Sequence, residues 1–320
     1  MALLLLGADR TVAAAVKLAK AVHVPTVVIG ATVVSLGTTT PEACVSVMAA
    51  FRGDPGLALG NAVGSIICDT AMIFGLCCCL ARVPLDRFML NRHGWLQFGA
   101  GALLVAIVAA GAAVGGGIQN VTIPRAVGVG LLALLVVYMY LSFRWARSHP
   151  ELIPPEAAAE IPKGHTSAAV ALTLAVLAGG LAIIILSSDV LIGVVEELGN
   201  RYAMPDHVIA ATLVAFGTSL PELATGLAAI RRGHPELMVG NIVGADILNV
   251  LFVTGASAAA APLKVEPLFF TLHLPIMMIS LILLRVYIFT GGKSFKRWQG
   301  LPLLALYCYY IFRLAVLRQF

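Results

Sequence analysis

The chain has 320 residues, of which 60% are hydrophobic and 12% are charged, and its formal net charge is +5. Soluble domains carry about 25% charged residues, so this composition excludes an ordinary soluble domain and indicates an integral membrane protein. Basic residues in such a protein report membrane topology, and the positive charge is therefore not interpreted as a surface for nucleic acid.

Apolar segments along the chain predict ten membrane helices. They lie near residues 1–21, 24–51, 57–81, 93–114, 124–145, 167–196, 205–230, 237–262, 267–290 and 298–317. Backbone polar groups inside a bilayer must bond within their own helix, so the expected fold class is all-α and transmembrane. Lys and Arg are more numerous on the side that holds loop 146–166, which predicts a cytoplasmic linker there and both termini outside a cytoplasmic (inner) membrane.

One pattern occurs twice, 180 positions apart. Residues 37–42 read Gly-Thr-Thr-Thr-Pro-Glu, and residues 217–222 read Gly-Thr-Ser-Leu-Pro-Glu. In that register about 20 of 47 positions agree between segments 24–70 and 204–250. We therefore expect a first repeat over 1–145 and a second over 167–320, separated by the linker 146–166. Five helices in each repeat would place the second repeat in the membrane the opposite way up, as in many secondary transporters.

Each copy of the pattern places a carboxylate near the middle of an apolar segment, just after hydroxyl residues and a proline. Proline lacks an N–H and clashes with the carbonyl four residues earlier, so Pro41 and Pro221 should break their helices and release the carbonyls of Gly37 and Gly217. Unwound backbone at this depth is tolerated where it lines a polar cavity.

The oxygens gathered there are all hard ligands, which suit Ca²⁺ or Na⁺ rather than Zn²⁺. Two carboxylates would balance one divalent cation. We predict that this site is formed by Glu42, Glu222, Thr38, Thr218, Thr39 and Ser219.

A second repeated element follows each carboxylate. Residues 60–69 read Gly-Asn-Ala-Val-Gly-Ser-Ile-Ile-Cys-Asp, and residues 240–249 read Gly-Asn-Ile-Val-Gly-Ala-Asp-Ile-Leu-Asn. The paired glycines predict close helix packing. Ser65 lies one turn before Asp69 on the same helix face, and Asn249 occupies the position equivalent to Asp69. Asn61 and Asn241 belong either to the site or to bonds across helices, and Asp246 serves either the site or a helix start.

These two repeated elements resemble those of the cation/Ca²⁺ antiporter superfamily, and within it the prokaryotic sodium/calcium exchangers. The resemblance implies two inverted five-helix repeats around mid-membrane ion sites, with Ca²⁺ bound by Glu42, Glu222, Thr38 and Thr218. It implies Na⁺ or shared positions at Thr39, Ser219, Ser65, Asp69 and Asn249, and backbone carbonyls at Ser35 and Ala215. It also implies alternating access, with Ca²⁺ and Na⁺ as transported ions rather than cofactors.

The chain departs from the family pattern at Ala245, where a serine hydroxyl is common. A H⁺-coupled or K⁺-dependent Ca²⁺ exchanger is therefore a second hypothesis, and a cation channel is a third. An intramembrane enzyme is disfavoured, because the sequence contains no nucleophile–base pair and no His-Glu-x-x-His motif. The expected surroundings are the lipid bilayer, without nucleic acid or an obligate protein partner.

Overall fold

The computed structural model describes residues 2–21, 24–84, 87–147, 167–201, 215–290, 292 and 294–317. Its helices are α1 (Ala2–Ala21), α2 (Thr26–Thr38), α3 (Thr40–Phe51), α4 (Pro55–Leu80), α5 (Arg87–Val114), α6 (Arg125–Arg147), α7 (Ser167–Arg201), α8 (Ala215–Thr218), α9 (Leu220–Arg231), α10 (Pro235–Ala260), α11 (Phe269–Thr290) and α12 (Gly300–Leu317). They follow the predicted segments closely, although residues 205–214 and all but the first two residues of linker 146–166 lie outside the described part.

Within the described residues, six helices are long and apolar enough to cross a membrane. A seventh span results if the bent pair α2 and α3 is taken as one. The protein is therefore a helical membrane protein, while the ten-span inverted arrangement stays a prediction.

Two short strands add to the helices a feature that the all-α prediction lacks. Strand β1 (Thr122–Ile123) pairs antiparallel with β2 (Leu263–Lys264). A single bridge also joins Pro84 to Ser294. The first contact joins two loops predicted outside, and the second joins two loops predicted to be cytoplasmic, so both agree with the expected sidedness.

The helices carrying the repeated pattern are broken at the predicted prolines. Between α2 and α3 the axis bends by 42° at Thr39, and Pro41 occupies the first turn of α3. Ser219 separates α8 from α9 in the same way, with Pro221 in the first turn of α9. A proline is tolerated in a first turn because its missing N–H has no helical partner to lose there.

The broken turn nevertheless uses a carbonyl that we expected to be released. A backbone N–H at the Thr39 cap bonds to the Gly37 oxygen, and the Thr39 N–H bonds to the Ser35 oxygen. The prediction of a released Gly37 carbonyl is therefore wrong, because the chain tightens into a shorter turn at the break and satisfies that oxygen.

Helices α4 and α10 form the centre of the molecule. In the most apolar window of each, 78% of α4 and 94% of α10 is buried, against 17% for α7. Both contain a π-helical stretch, Cys68–Phe74 in α4 and Asn249–Thr254 in α10. Such stretches often occur at functional sites. Here the first begins at Cys68, one residue before Asp69, and the second begins at Asn249, the repeat equivalent of Asp69.

Helix α10 packs backbone to backbone against α2. A Cβ atom at Gly240 would overlap the Val27 carbonyl, and one at Gly244 would lie 2.5 Å from the Ala31 oxygen. A Cβ at Gly30 would in turn meet the Leu237 oxygen. The predicted glycine-mediated packing is thus confirmed for α10, and it joins a helix of the first half to one of the second.

Helix α1 lies against α7 and α9. Its Asp9 carboxylate accepts two hydrogen bonds from Arg232 in the loop after α9, one of them from Nε to Oδ1 at 2.6 Å. Both side chains are partly exposed, at 36% for Arg232 and 45% for Asp9. This ion pair connects α1 to the helices that carry the site.

Candidate ion-binding site

The hydroxyls of the repeated pattern form bonds that cross between the two halves. Thr38 donates to the amide oxygen of Asn241 at 3.3 Å. Thr218 donates to the amide oxygen of Asn61 at 3.1 Å. Because 218 and 241 are the repeat equivalents of 38 and 61, the two bonds are the same contact made in both directions.

The same asparagines are fixed at their other end. The Asn61 amide nitrogen donates to Ser46 at 3.0 Å and to the Glu42 carbonyl at 3.2 Å. The Asn241 amide nitrogen donates to Thr225 at 3.1 Å. The interpretation that both asparagines bond across helices is confirmed, and through those bonds they position the site hydroxyls. Sequence reasoning missed Ser46 and Thr225, which are not equivalent in the repeat.

The two glutamates lie at the breaks and are almost completely buried, each 1% exposed. They interact electrostatically with each other. Thr39 donates to a Glu222 oxygen at 3.4 Å. Thr218, which donates to Asn61 at 3.1 Å, also approaches the Glu42 carboxylate. The carboxylates predicted from the repeat are therefore brought together with hydroxyls from the opposite half.

Several buried oxygens around the breaks have no hydrogen-bond partner among the described residues. They belong to Glu42, Asp69, Glu222, Ser65, Ser219 and Asn249. A buried polar group without a partner costs about 1–3 kcal/mol, and a charge costs more. Acceptor oxygens left unpaired in one region are what a bound cation requires, so their chemistry fits Ca²⁺ or Na⁺ as cargo.

Of the two predicted backbone ligands, Ser35 is fully described by the structure, whereas the side chain of Ala215 is not. Ser35 is fully buried, and its carbonyl accepts both the Thr39 N–H at 2.8 Å and the Thr38 hydroxyl at 3.3 Å. Ala215 begins α8, and its side chain lies outside the described part. Within the described residues no group of three or more His, Cys, Asp and Glu side chains is arranged to hold a metal. An ion here would therefore depend on hydroxyl and carbonyl oxygens beside the carboxylates.

Asp246 is a further buried carboxylate, and its interpretation as a helix-start residue is wrong. It lies three turns inside α10 and is 2% exposed. Its Oδ2 accepts hydrogen bonds from Thr70 of α4 and from Gln97 of α5. Sequence reasoning missed Gln97, whose one signal is an amide within the apolar segment 94–114 of α5.

The chain is similar to known membrane proteins and exchangers over nearly its whole length. The model of the family described as "Sodium/calcium exchanger protein" matches residues 1–144 and 172–316. The chain is 32% identical over 287 residues to the inner membrane protein YrbG of Escherichia coli, covering 88% of this chain and 84% of that protein. It is 28% identical to the sodium/calcium exchanger MaX1 of Methanosarcina acetivorans, covering 94% of this chain and 92% of that one.

A solved structure of the sodium-calcium exchanger NCX_Mj, soaked with Na⁺ and Sr²⁺, superposes with a TM-score of 0.79 at 27% identity. The superposition covers 97% of this chain and 94% of that one. With a family model matching nearly the whole chain and the fold matching as well, the chain belongs to the sodium/calcium exchanger protein family.

Proposed function

We propose that this chain, a cation exchanger by family, moves Ca²⁺ across the cytoplasmic membrane in exchange for Na⁺. The observation that carries the proposal is the crossed arrangement of Thr38 with Asn241 and Thr218 with Asn61 around two buried glutamates. It makes one site from both halves, and every ligand in that site is an oxygen.

Competition for shared carboxylates provides the coupling. Glu42 and Glu222 together balance the charge of one Ca²⁺, and the same oxygens accept Na⁺ when Ca²⁺ leaves. Since both ions need the same charges in a region where uncompensated charge is costly, occupancy by one excludes the other. Exchange rather than leak requires in addition that the empty site, with its uncompensated carboxylates, does not change sides.

Alternating access requires part of the molecule to move relative to the site. Helices α1 and α7 pack on each other along their length and carry none of the proposed ligands. We assign them to the moving part, with α2, α3, α4, α8, α9 and α10 as the core that carries the site. In this proposal the halves are inverted repeats over 1–145 and 167–320, and both termini face outward.

A H⁺-coupled exchanger is the second candidate, favoured by one observation. Asp69 and Asp246 add two buried carboxylates to the two glutamates. One Ca²⁺ balances two charges, so the remainder need another cation, and a proton is one candidate.

The test is uptake of radioactive Ca²⁺ by proteoliposomes loaded with Na⁺ and diluted into Na⁺-free buffer. A parallel sample without Na⁺ carries an outward H⁺ gradient, and a third carries neither gradient. Uptake that needs the Na⁺ gradient supports the proposal. Uptake driven by the H⁺ gradient alone would replace Na⁺ with H⁺ as the coupling ion, and uptake without either gradient would indicate a channel.

A further inference from the structure

Among the described residues, Asp246 is the buried carboxylate near the site whose repeat position holds an apolar residue, since position 66 is an isoleucine. In α10 it lies two residues after Gly244, which packs on Ala31 of α2. Two residues along a helix is a rotation of about 200°, so Asp246 faces away from α2. It reaches Thr70 of α4 and Gln97 of α5.

The two Asp246 oxygens are used differently. Oδ2 receives the Thr70 hydroxyl and the Gln97 amide, while Oδ1 is buried and has no hydrogen-bond partner among the described residues. The Gln97 amide nitrogen also lies 3.5 Å from the Thr70 hydroxyl. The carboxylate is thus held in one orientation by two donors, with a free oxygen presented to the interior.

The charge of Asp246 is not balanced by the protein in the described part of the chain. No Lys, Arg or His side chain described there forms an ion pair with it. The charged groups that act on it are the carboxylates of Asp69 and Glu222, which have the same sign. A buried carboxylate is normally paired, bound to a cation or protonated.

We propose that Asp246 binds a monovalent cation, Na⁺ or K⁺, at its Oδ1, with Thr70 and Gln97 as positioning residues. A single carboxylate matches a single positive charge, and the ligand type is a hard oxygen. Electrostatic interactions with Asp69 and Glu222 couple this position to the Glu42–Glu222 site. This inference rests on the proposed function, since the bound cation would be carried or required during Ca²⁺ exchange.

Asp246→Asn is the direct test, because the amide keeps the shape and still accepts from Thr70 while it removes the charge. The matched control is Ser280→Ala, which removes another fully buried polar group whose hydroxyl bonds within α11 to Met277 at 2.7 Å. Both variants are compared with the unmodified chain in purified form and in proteoliposomes. Gln97→Leu serves as a second variant if Asp246→Asn does not yield folded protein.

The first readout is independent of transport. The thermal unfolding temperature of the purified protein is measured against NaCl, KCl and choline chloride at constant ionic strength. We expect Na⁺ or K⁺, but not choline, to raise it in the unmodified chain and in Ser280→Ala. The half-saturating concentration should rise about tenfold or more in Asp246→Asn, the ratio that corresponds to losing one charge-assisted contact.

The second readout is Ca²⁺ uptake at varied Na⁺ and K⁺. Asp246→Asn should need a higher concentration of the monovalent cation while its apparent KM for Ca²⁺ changes far less. An unchanged cation dependence in both readouts would overturn the assignment. So would a variant whose cation dependence is normal but whose pH dependence is lost, because that result assigns a proton to Asp246. If the unmodified chain shows no Ca²⁺ exchange, the proposed function fails, and the unfolding measurement still decides whether Asp246 binds a cation.

Discussion

Thr38 of the first half donates a hydrogen bond to Asn241 of the second half across a distance of 3.3 Å. The reciprocal bond from Thr218 to Asn61 measures 3.1 Å. Each half therefore positions the hydroxyl of the other. A movement that separates the halves would disturb both contacts together, which makes the site a property of the pair of halves.

Replacing Asn241 by Ala should weaken Ca²⁺ binding without unfolding the protein. The change removes the amide contacts of Thr38 and Thr225, whose hydroxyls keep only backbone acceptors. A lost hydrogen bond costs about 0.5–1.5 kcal/mol, equivalent to about two- to 13-fold in affinity. Asn61→Ala should behave alike, because it makes the equivalent contact. The measurement is the Ca²⁺ dependence of uptake, and equal Ca²⁺ affinity in Asn241→Ala and the unmodified chain would contradict the positioning role.

Alanine substitutions at two glycines in equivalent repeat positions, Gly240 and Gly60, should have opposite effects on the stability of the fold. Gly240→Ala should destabilise the fold, because the new Cβ would overlap the Val27 carbonyl of α2. Gly60→Ala should be tolerated, since its nearest neighbour is the Phe269 ring at 4.0 Å. Overpacking of this kind costs about 1–3 kcal/mol.

The stability of the two variants is measured by their thermal unfolding temperature and by the yield of monodisperse protein. An equal loss of stability in Gly240→Ala and Gly60→Ala would mean that position 240 does not need glycine for the close approach of α2 and α10.

Much of this architecture can be predicted from the sequence, and the reason is the repeat. The glutamates Glu42 and Glu222 and the helix breaks at Pro41 and Pro221 appear twice in one register, so each copy supports the other. Asp246 has no such support, because its equivalent is Ile66, and Gln97 lies outside the repeated segments 24–70 and 204–250. The contact of Asp246 with Thr70 and Gln97 has no counterpart in the repeat, so sequence symmetry could not detect it.

The π-helical stretches were not predictable for a different reason. They widen the turn at Asp69 and Asn249, but one extra residue in a helical turn requires no proline, glycine or polar residue. The extra residue rotates the side chains after the stretch about the helix axis relative to those before it. In the same way, the shorter turn that satisfies the Gly37 carbonyl depends on backbone geometry at Thr39, which the proline alone does not specify.

Ala245→Ser should strengthen the dependence of Ca²⁺ uptake on Na⁺. Ala245 is fully buried at the position equivalent to Ser65, so the substitution adds a hydroxyl oxygen near the proposed ions. We expect the half-saturating Na⁺ concentration to fall several-fold, since a hydrogen-bond-strength contact contributes about 1 kcal/mol. Ala229→Ser, a buried alanine of α9, is the control. An unchanged Na⁺ affinity in Ala245→Ser would mean that no Na⁺ is bound at that position.

The Asp9–Arg232 ion pair should influence the rate of exchange more than the stability of the fold. Partly exposed ion pairs contribute roughly 0–1 kcal/mol, so Asp9→Asn should leave the unfolding temperature nearly unchanged. Because the pair connects α1 to the loop after α9, breaking it should change the maximal rate of Ca²⁺ exchange. The charge-reversed double variant, Asp9→Arg with Arg232→Asp, should restore that rate, and a double variant as impaired as the single one would argue against a role in movement.

The central claim is that Ca²⁺ and its counter-ion share the carboxylates of Glu42 and Glu222. The most direct measurement is Na⁺-driven uptake of radioactive Ca²⁺ by proteoliposomes containing Glu222→Gln, with Glu236→Gln as a control. Glu236 is a partly exposed residue at the start of α10, 3.1 Å from His234. The account predicts that uptake is lost in Glu222→Gln and kept in Glu236→Gln, because a neutral amide cannot balance a divalent ion. Uptake at the unmodified rate by folded Glu222→Gln would contradict it.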